Sequence, residues 1–291
     1  MGDSFIKYLQ FEKRYSPKTI LSYKTDLLQF QNFLNLEFDA VKSEQANHSL
    51  VRSWVVNLVE AKLDPVSINR KIACLRSYYK FLMKQEVITK DPMSKIRILK
   101  TKKKLPHFVQ ENELSVTLDR IEPSSDFEQV RDQLLIELLY GTGMRLSELI
   151  GLKDHSINMR DRTLKVLGKR NKERVIPFSD TVAKLIESYK MVRNKNVERK
   201  QDNLLLTEAG ESLYPMLVNR ITKKYLKNVK AEKKSPHVLR HTYATHLLNK
   251  GAEINAVKDL LGHSSLAATQ VYTHNSMEKL KKVFDQAHPK A

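Results

Sequence analysis

Apolar residues recur at steps of three and four along most of the chain, and a different pattern, that of short strands, replaces it between Thr163 and Phe178. The first periodicity is the buried stripe of amphipathic helices, so the sequence predicts a mainly α fold with one small β-hairpin sheet. Ser16-Pro17 reads as an N-cap followed by proline at the first helical position. Ile20, Tyr23, Leu27, Phe30 and Leu34 form the stripe that follows it. Phe5, Tyr8, Leu9 and Phe11 predict a shorter helix before it, and Val51, Trp54, Val55 and Leu58 a third. Asp64-Pro65 opens a fourth, with Ile68, Ile72, Leu75, Tyr79 and Leu82 as its buried face. Residues 1–97 are therefore expected to form an N-terminal helical bundle.

No periodicity runs through residues 98–106, where Lys100, Lys102, Lys103 and Lys104 lead to Pro106. This stretch reads as a basic linker. It is either a strap across a phosphate backbone or a solvated tether. Residues 107–291 are expected to form a second, α-rich domain. Within it, Gly141-Thr-Gly143 stops a helix and turns the chain. Arg145 and Glu148 follow, three residues apart, so that they can pair on a helix face. Arg145 is then either a phosphate ligand braced by Glu148 or one half of a structural ion pair. Thr163–Leu167 and Arg174–Phe178 read as two strands of a hairpin whose tip holds Lys169, Arg170 and Lys172. Helices are expected around 180–194 and 212–230, and a further one opens at Ser235-Pro236 and closes at Gly251. The stretch 277–287 is expected to be a weakly apolar tail helix that frays or docks on an adjacent subunit.

Charge decides between partners. The chain of 291 residues carries 51 Lys and Arg against 33 Asp and Glu, a net charge of +18. Residues 1–105 hold +10 of this and the remainder +8, a distribution that suits a clamp on a polyanion. No apolar run approaches the roughly 20 residues of a membrane span, and no signal segment opens the chain. A single cysteine, Cys74, excludes an internal disulfide and a cysteine-rich zinc site. The composition therefore predicts a cytoplasmic protein that handles nucleic acid, with no membrane partner. On the fourth helix Asn69, Arg76, Ser77, Lys80 and Lys84 lie away from the apolar stripe. These are residue types that contact phosphates, or else an ordinary solvated face.

One stretch carries chemistry. His237 and Arg240 lie three apart; His263 follows Gly262; Tyr272 comes nine residues later. Two imidazoles, a guanidinium and a phenol in this order suggest phosphoryl transfer with tyrosine as the nucleophile. Each residue alone is more often an ordinary structural one.

With these pieces in place the chain resembles the tyrosine recombinases, and among them the Xer recombinases, over nearly its whole length. The resemblance rests on Ser16-Pro-Lys-Thr19, on Gly141-Thr-Gly-Met-Arg145-Leu-Ser-Glu148-Leu, and on Gly168-Lys169 with Asn171-Lys-Glu-Arg174. It continues in His237-Val-Leu-Arg240-His241-Thr-Tyr-Ala-Thr-His246, Leu261-Gly-His263 and Tyr272-Thr-His274, and the terminal His288-Pro-Lys-Ala291 looks like the XerD branch. The resemblance implies a SAM-like core-binding domain ahead of a catalytic domain. It also implies a site: Arg145, Arg240 and His263 on the scissile phosphate, His237 in proton transfer, Lys169 as acid to the leaving 5′ oxygen, Glu148 bracing Arg145, and Tyr272 as nucleophile. No cofactor and no metal are expected. The implied partners are a recombination site in double-stranded DNA at the nucleoid, a tetramer of this chain alone or with a related recombinase, and a septal DNA translocase acting during chromosome-dimer resolution. A mobile-element integrase or a non-catalytic DNA-binding protein are the alternatives. The family's hairpin commonly has glycine after its lysine, where this chain has Arg170.

Overall fold

The computed structural model describes residues 2–101, 108–119, 124–168, 173–262, 284 and 286–287. The chain divides into two compact units, Met1–Lys104 and Leu105–Ala291. No helix among the described residues is long and apolar enough to cross a membrane.

The first unit is a helical bundle. Helix α1 (Gly2–Lys7) runs into a π-helical turn, Tyr8–Glu12, and α2 (Pro17–Glu37), α3 (His48–Glu60) and α4 (Pro65–Lys84) follow. The starts are fixed by side chains, each satisfying an N–H that the helix itself leaves unpaired. Ser16 accepts from the Thr19 amide, Asn47 from Leu50, and Asp64 from Val66. The α4 stripe read from the sequence is buried as expected, and with Phe5, Phe30, Leu34, Val51 and Trp54 it makes one core. Phe11 departs from the expectation: the first helix gives way to the π turn, which leaves that ring 69% exposed. Lys71 lies on the buried face of α4, where its Nζ meets Asp26 Oδ1 of α2 at 2.8 Å. Arg70 completes the pairing of the same carboxylate.

The second unit begins with α5 (Glu111–Asp119) and α6 (Phe127–Thr142), then the short α7 (Leu146–Ile150). Strands β1 (Ile157–Asn158), β2 (Thr163–Leu167) and β3 (Glu173–Pro177) form an antiparallel sheet in that order. Val166 pairs with Arg174 and Leu164 with Ile176. The hairpin is thus as expected; the two-residue β1 was too short to carry a pattern. Helices α8 (Asp180–Asn196), α9 (Pro215–Tyr225), α10 (Pro236–Asn249) and α11 (Ile254–Leu261) complete the unit. Nearly all of α6 is buried, and it packs against α8 and α10 as the central helix. It ends because Gly143 adopts φ +59°, and a side chain there would collide with the Tyr243 ring.

Three residues of the expected tail, Phe284, Gln286 and Ala287, are described. Phe284 and Ala287 are buried in one cluster with Tyr243, Leu247, Val257, Leu260 and Leu261 of α10 and α11. This part of the tail packs on its own chain, where apolar residues of two helices already form a receptive face.

Candidate active site

Arg145 precedes α7 with extended backbone, φ −78° and ψ 153°. Glu148, at the third position of that helix, reaches back to the Arg145 amide at 2.7 Å and to its Nη1 at 2.8 Å. A carboxylate at this position ordinarily closes a capping box; here it also aims a guanidinium. Glu148 has a second cationic partner. Arg174, on β3, donates from Nη1 and Nη2 to the two carboxylate oxygens at 2.5 and 2.8 Å. Burial alone would raise the Glu148 pKa. The Arg174 bonds and charge, then those of Arg145, outweigh burial and bring it down to about 2.

Arg240, on α10, is 6% exposed. It donates to the carbonyls of Gly143 at 2.6 Å and Leu261 at 2.5 Å. Burial, followed by the neighbouring charges of Arg145 and Arg174, lowers its pKa to about 10, which leaves it charged at neutral pH. The end of α11 joins the three arginines. Leu260 O accepts from Arg174 Nε at 3.1 Å, Leu261 O from Arg240, and Gly262 O from Arg145 Nη2 at 2.9 Å. These carbonyls form the negative end of the helix dipole, and Gly262, at φ +62°, turns the chain directly after them.

The charge here does not balance. Two guanidiniums, Arg145 and Arg174, bond Glu148, and a third, Arg240, lies close enough to feel their charges while bonding main-chain carbonyls; Glu148 is the one carboxylate bonded to the cluster among the described residues. Each guanidinium has five N–H donors, and Arg145 and Arg240 each direct only part of theirs to Glu148 and main-chain carbonyls. Arg145 keeps 24% of its side chain exposed. A partly exposed cluster with surplus positive charge, and with guanidinium forks only partly used among the described residues, suits a tetrahedral oxyanion.

His237 stands in the first turn of α10, three residues before Arg240 and exposed. Its Nε2 lies 3.0 Å from Nε2 of His241, with the rings edge to face. One of the two nitrogens must carry the shared proton. Burial, then the charges of His237 and Arg240, lowers the His241 pKa, which favours a neutral His241 as the partner.

The structure therefore brings together Arg145, Glu148 and Arg240, with His237 one helical turn away. Lys169, His263 and Tyr272 lie outside the described residues, as do Lys102, Lys103 and Lys104. The α4 face needs correction. Asn69 is half-buried and exchanges two bonds with the Leu99 backbone, at 2.9 and 2.8 Å. Arg76 donates to Ile96 O. These two side chains fasten the segment after the bundle, so Asn69 is committed within the unit. Ser77 is half-buried, Lys80 exposed, and Lys84 exposed beside Glu12 at 3.6 Å and the Tyr8 ring.

Sequence reasoning missed Arg174 as a site residue, although a signal existed. It alternates with Ile176 and Phe178 on the buried side of the strand, and a cation on an apolar face needs a buried counter-charge. It also passed over a dense basic run of the second unit, Arg220, Lys223, Lys224, Lys227, Lys230, Lys233 and Lys234, most of it exposed.

Comparison with known proteins adds a second line. The family model described as the phage integrase family matches residues 107–279. That described as phage integrase, N-terminal SAM-like domain, matches residues 3–86. A protein named tyrosine recombinase XerC from Chlorobaculum parvum is 38% identical over a 316-residue alignment covering 99% of this chain and 94% of its own length. Another of that name, from Anoxybacillus flavithermus, is 37% identical over 292 residues, covering 99% and 97%. Among solved structures, the XerH site-specific recombinase in a post-cleavage complex with palindromic difH substrate superposes with a TM-score of 0.74 at 21% identity, covering 97% of this chain and 83% of that one. The Tn1549 transposon integrase in complex with transposon right end DNA gives 0.73 at 19%, covering 97% and 98%. At these identities the two structures speak to the fold alone. The relatives carry the name XerC, so the XerD likeness of residues 288–291 finds no support in them.

Proposed function

Because the chain belongs to the phage integrase family of tyrosine recombinases, and so is a site-specific recombinase that cuts and rejoins DNA, we propose that Arg145 and Arg240 hold the scissile phosphate while Tyr272 attacks it. The observation that carries this reading is the surplus of guanidinium charge around Glu148, at the end of the helix that leads into His263 and Tyr272.

Tyr272 Oη forms a bond to phosphorus as the bond to the 5′ oxygen breaks, leaving a 3′-phosphotyrosyl link and a 5′ hydroxyl. A phenol of pKa about 10 is mostly protonated at neutral pH, so its proton goes to His237, whose ring is held by His241. Lys169 supplies a proton to the departing 5′ oxygen. Arg145, Arg240 and His263 stabilise the charge that builds on the non-bridging oxygens, where one lost donor costs about 3 kcal/mol. Glu148 positions Arg145. The covalent link retains the energy of the broken diester, so the reverse attack by a 5′ hydroxyl needs no nucleotide cofactor.

Residues 1–97 act as the core-binding half of a clamp, with Ser77, Lys80 and Lys84 towards the backbone and Lys102 to Lys104 as a strap. Strand exchange takes place in a tetramer, built of this chain alone or with a related recombinase. The XerC names of the relatives support chromosome-dimer resolution at cell division; on this reading the protein acts in the cytoplasm at the nucleoid, with a septal DNA translocase as activator. Integration of a mobile element would use the same residues on a different site, and a non-catalytic DNA-binding protein would bind without reacting. A duplex nicked beside the cleavage point traps the intermediate. Wild-type protein should accumulate a covalent adduct that Tyr272→Phe cannot form. No adduct from the wild type, or equal adduct from the variant, overturns the reading.

A further inference from the structure

We propose that Arg174 is a positioning residue of this reaction, one that sets both phosphate-binding arginines by holding Glu148 and the end of α11 at once. The inference rests on the assignment of Arg145 and Arg240 to the phosphate, and adds a residue on which both depend.

The geometry is a relay of fixed forks. Arg174 binds Glu148 through two parallel N–H bonds, which fix the plane of the carboxylate as well as its place. The same two oxygens then orient Arg145, one through its Nη1 and one through its amide. Arg174 uses its remaining direction, Nε, on Leu260 O, next to the carbonyls that hold Arg240 and Arg145. A Cβ on Gly262 would sit 2.9 Å from Arg174 Cδ, so the left-handed turn that follows α11 packs on the arginine stem itself. Removing the Arg174 fork frees the carboxylate on one side and the helix end on the other. Lysine cannot replace it, because one ammonium does not span two carboxylate oxygens and a carbonyl in different directions.

The same unit offers a control. Arg193 of α8 is as deeply buried, bridges both oxygens of Asp154 at 3.0 and 2.9 Å, and donates to Leu204 O at 2.8 Å. None of these partners touches the arginine cluster. Arg193 has the architecture of Arg174 without its address.

The test is single-turnover cleavage of the nicked duplex at saturating DNA, read as both rate constant and final amplitude. Amplitude counts folded, competent molecules; the rate reports how well they are arranged. Arg174→Lys should slow the rate by about 100-fold, the usual consequence of a displacement near 1 Å at a reacting centre, with amplitude nearly unchanged. Arg193→Lys should lower thermal stability and leave the rate alone. The double variant Glu148→Gln with Arg174→Lys should be no slower than Glu148→Gln alone. If Arg174→Lys does not fold, Gly262→Ala presses on the same stem and should slow the rate about tenfold. A wild-type rate in either folded variant, an equal slowing in Arg193→Lys, or multiplicative effects in the double variant overturns the inference and leaves the recombinase reading intact. A wild-type protein that forms no adduct overturns both.

Discussion

Each unit of the molecule buries a carboxylate between two cations, and the two clusters have different consequences. In the first, Asp26 of α2 is closed off by Arg70 and Lys71 of α4, with Gln29 sharing the Lys71 ammonium. Arg70 is 44% exposed, so its charge is screened by solvent and the buried Lys71 is left matched to one carboxylate. In the second, Glu148 is closed off by Arg145 and Arg174, and a third guanidinium, Arg240, stands beside them, bonded among the described residues to main-chain carbonyls. Burial of charge is common to both. What distinguishes a binding site is an excess of one sign, kept buried by carbonyls that orient the donors without neutralising them.

That contrast can be broken experimentally. The largest effect is expected at the balanced cluster and on stability alone. Asp26→Asn leaves Lys71 buried without a counter-charge and should cost about 3–5 kcal/mol in urea unfolding, while cleavage by the folded fraction is unchanged. A comparable loss of cleavage rate would make Asp26 part of the chemistry. At the unbalanced cluster the order reverses. Arg240→Lys keeps a charge but cannot span Gly143 O, Leu261 O and a phosphate together, and should lower the single-turnover rate by about 10²–10³-fold.

Acid sharpens the difference further. The Glu148 pKa of about 2 lies below its usual 4.5. Its ionised form therefore stabilises the fold fully above about pH 4.5, and this contribution, about 3 kcal/mol, is lost as pH falls through about 2. Unfolding followed between pH 5 and 2 should show a slope that Glu148→Gln flattens; an unaltered slope contradicts the pairing. The smallest effect belongs to the exposed face of α4. Lys80→Ala should weaken DNA binding uniformly across sequences and reduce its dependence on log salt by about one unit. A slope unchanged by the substitution removes Lys80 from the phosphate contacts.

Much of this was legible beforehand, and the reasons are local. Helix starts at Ser16 and Asp64 and the stop at Gly143 depend on neighbours within four residues, so the sequence carries them directly. The pairing of Arg145 with Glu148 is of the same kind. The role of Arg174 was not legible, because its partners lie 26 and 86 residues away and only the fold brings them together. Asn69 was misread for a related reason: its helix face looked solvated until the chain returned at Leu99 and covered it. The tail, expected to fray or to dock on an adjacent subunit, has Phe284 and Ala287 buried in one cluster with α10 and α11, a contact that periodicity cannot express.

The decisive comparison is cleavage of two scissile linkages, the natural phosphodiester and a methylphosphonate in which one charged non-bridging oxygen is replaced by methyl. If the surplus charge around Glu148 exists to hold that oxygen, Arg145→Ala should lose about 10²–10³-fold on the phosphodiester and less than about tenfold on the neutral linkage, each relative to wild type on the same substrate. An equal loss on both substrates would mean that Arg145 does not act on the charge of the phosphate.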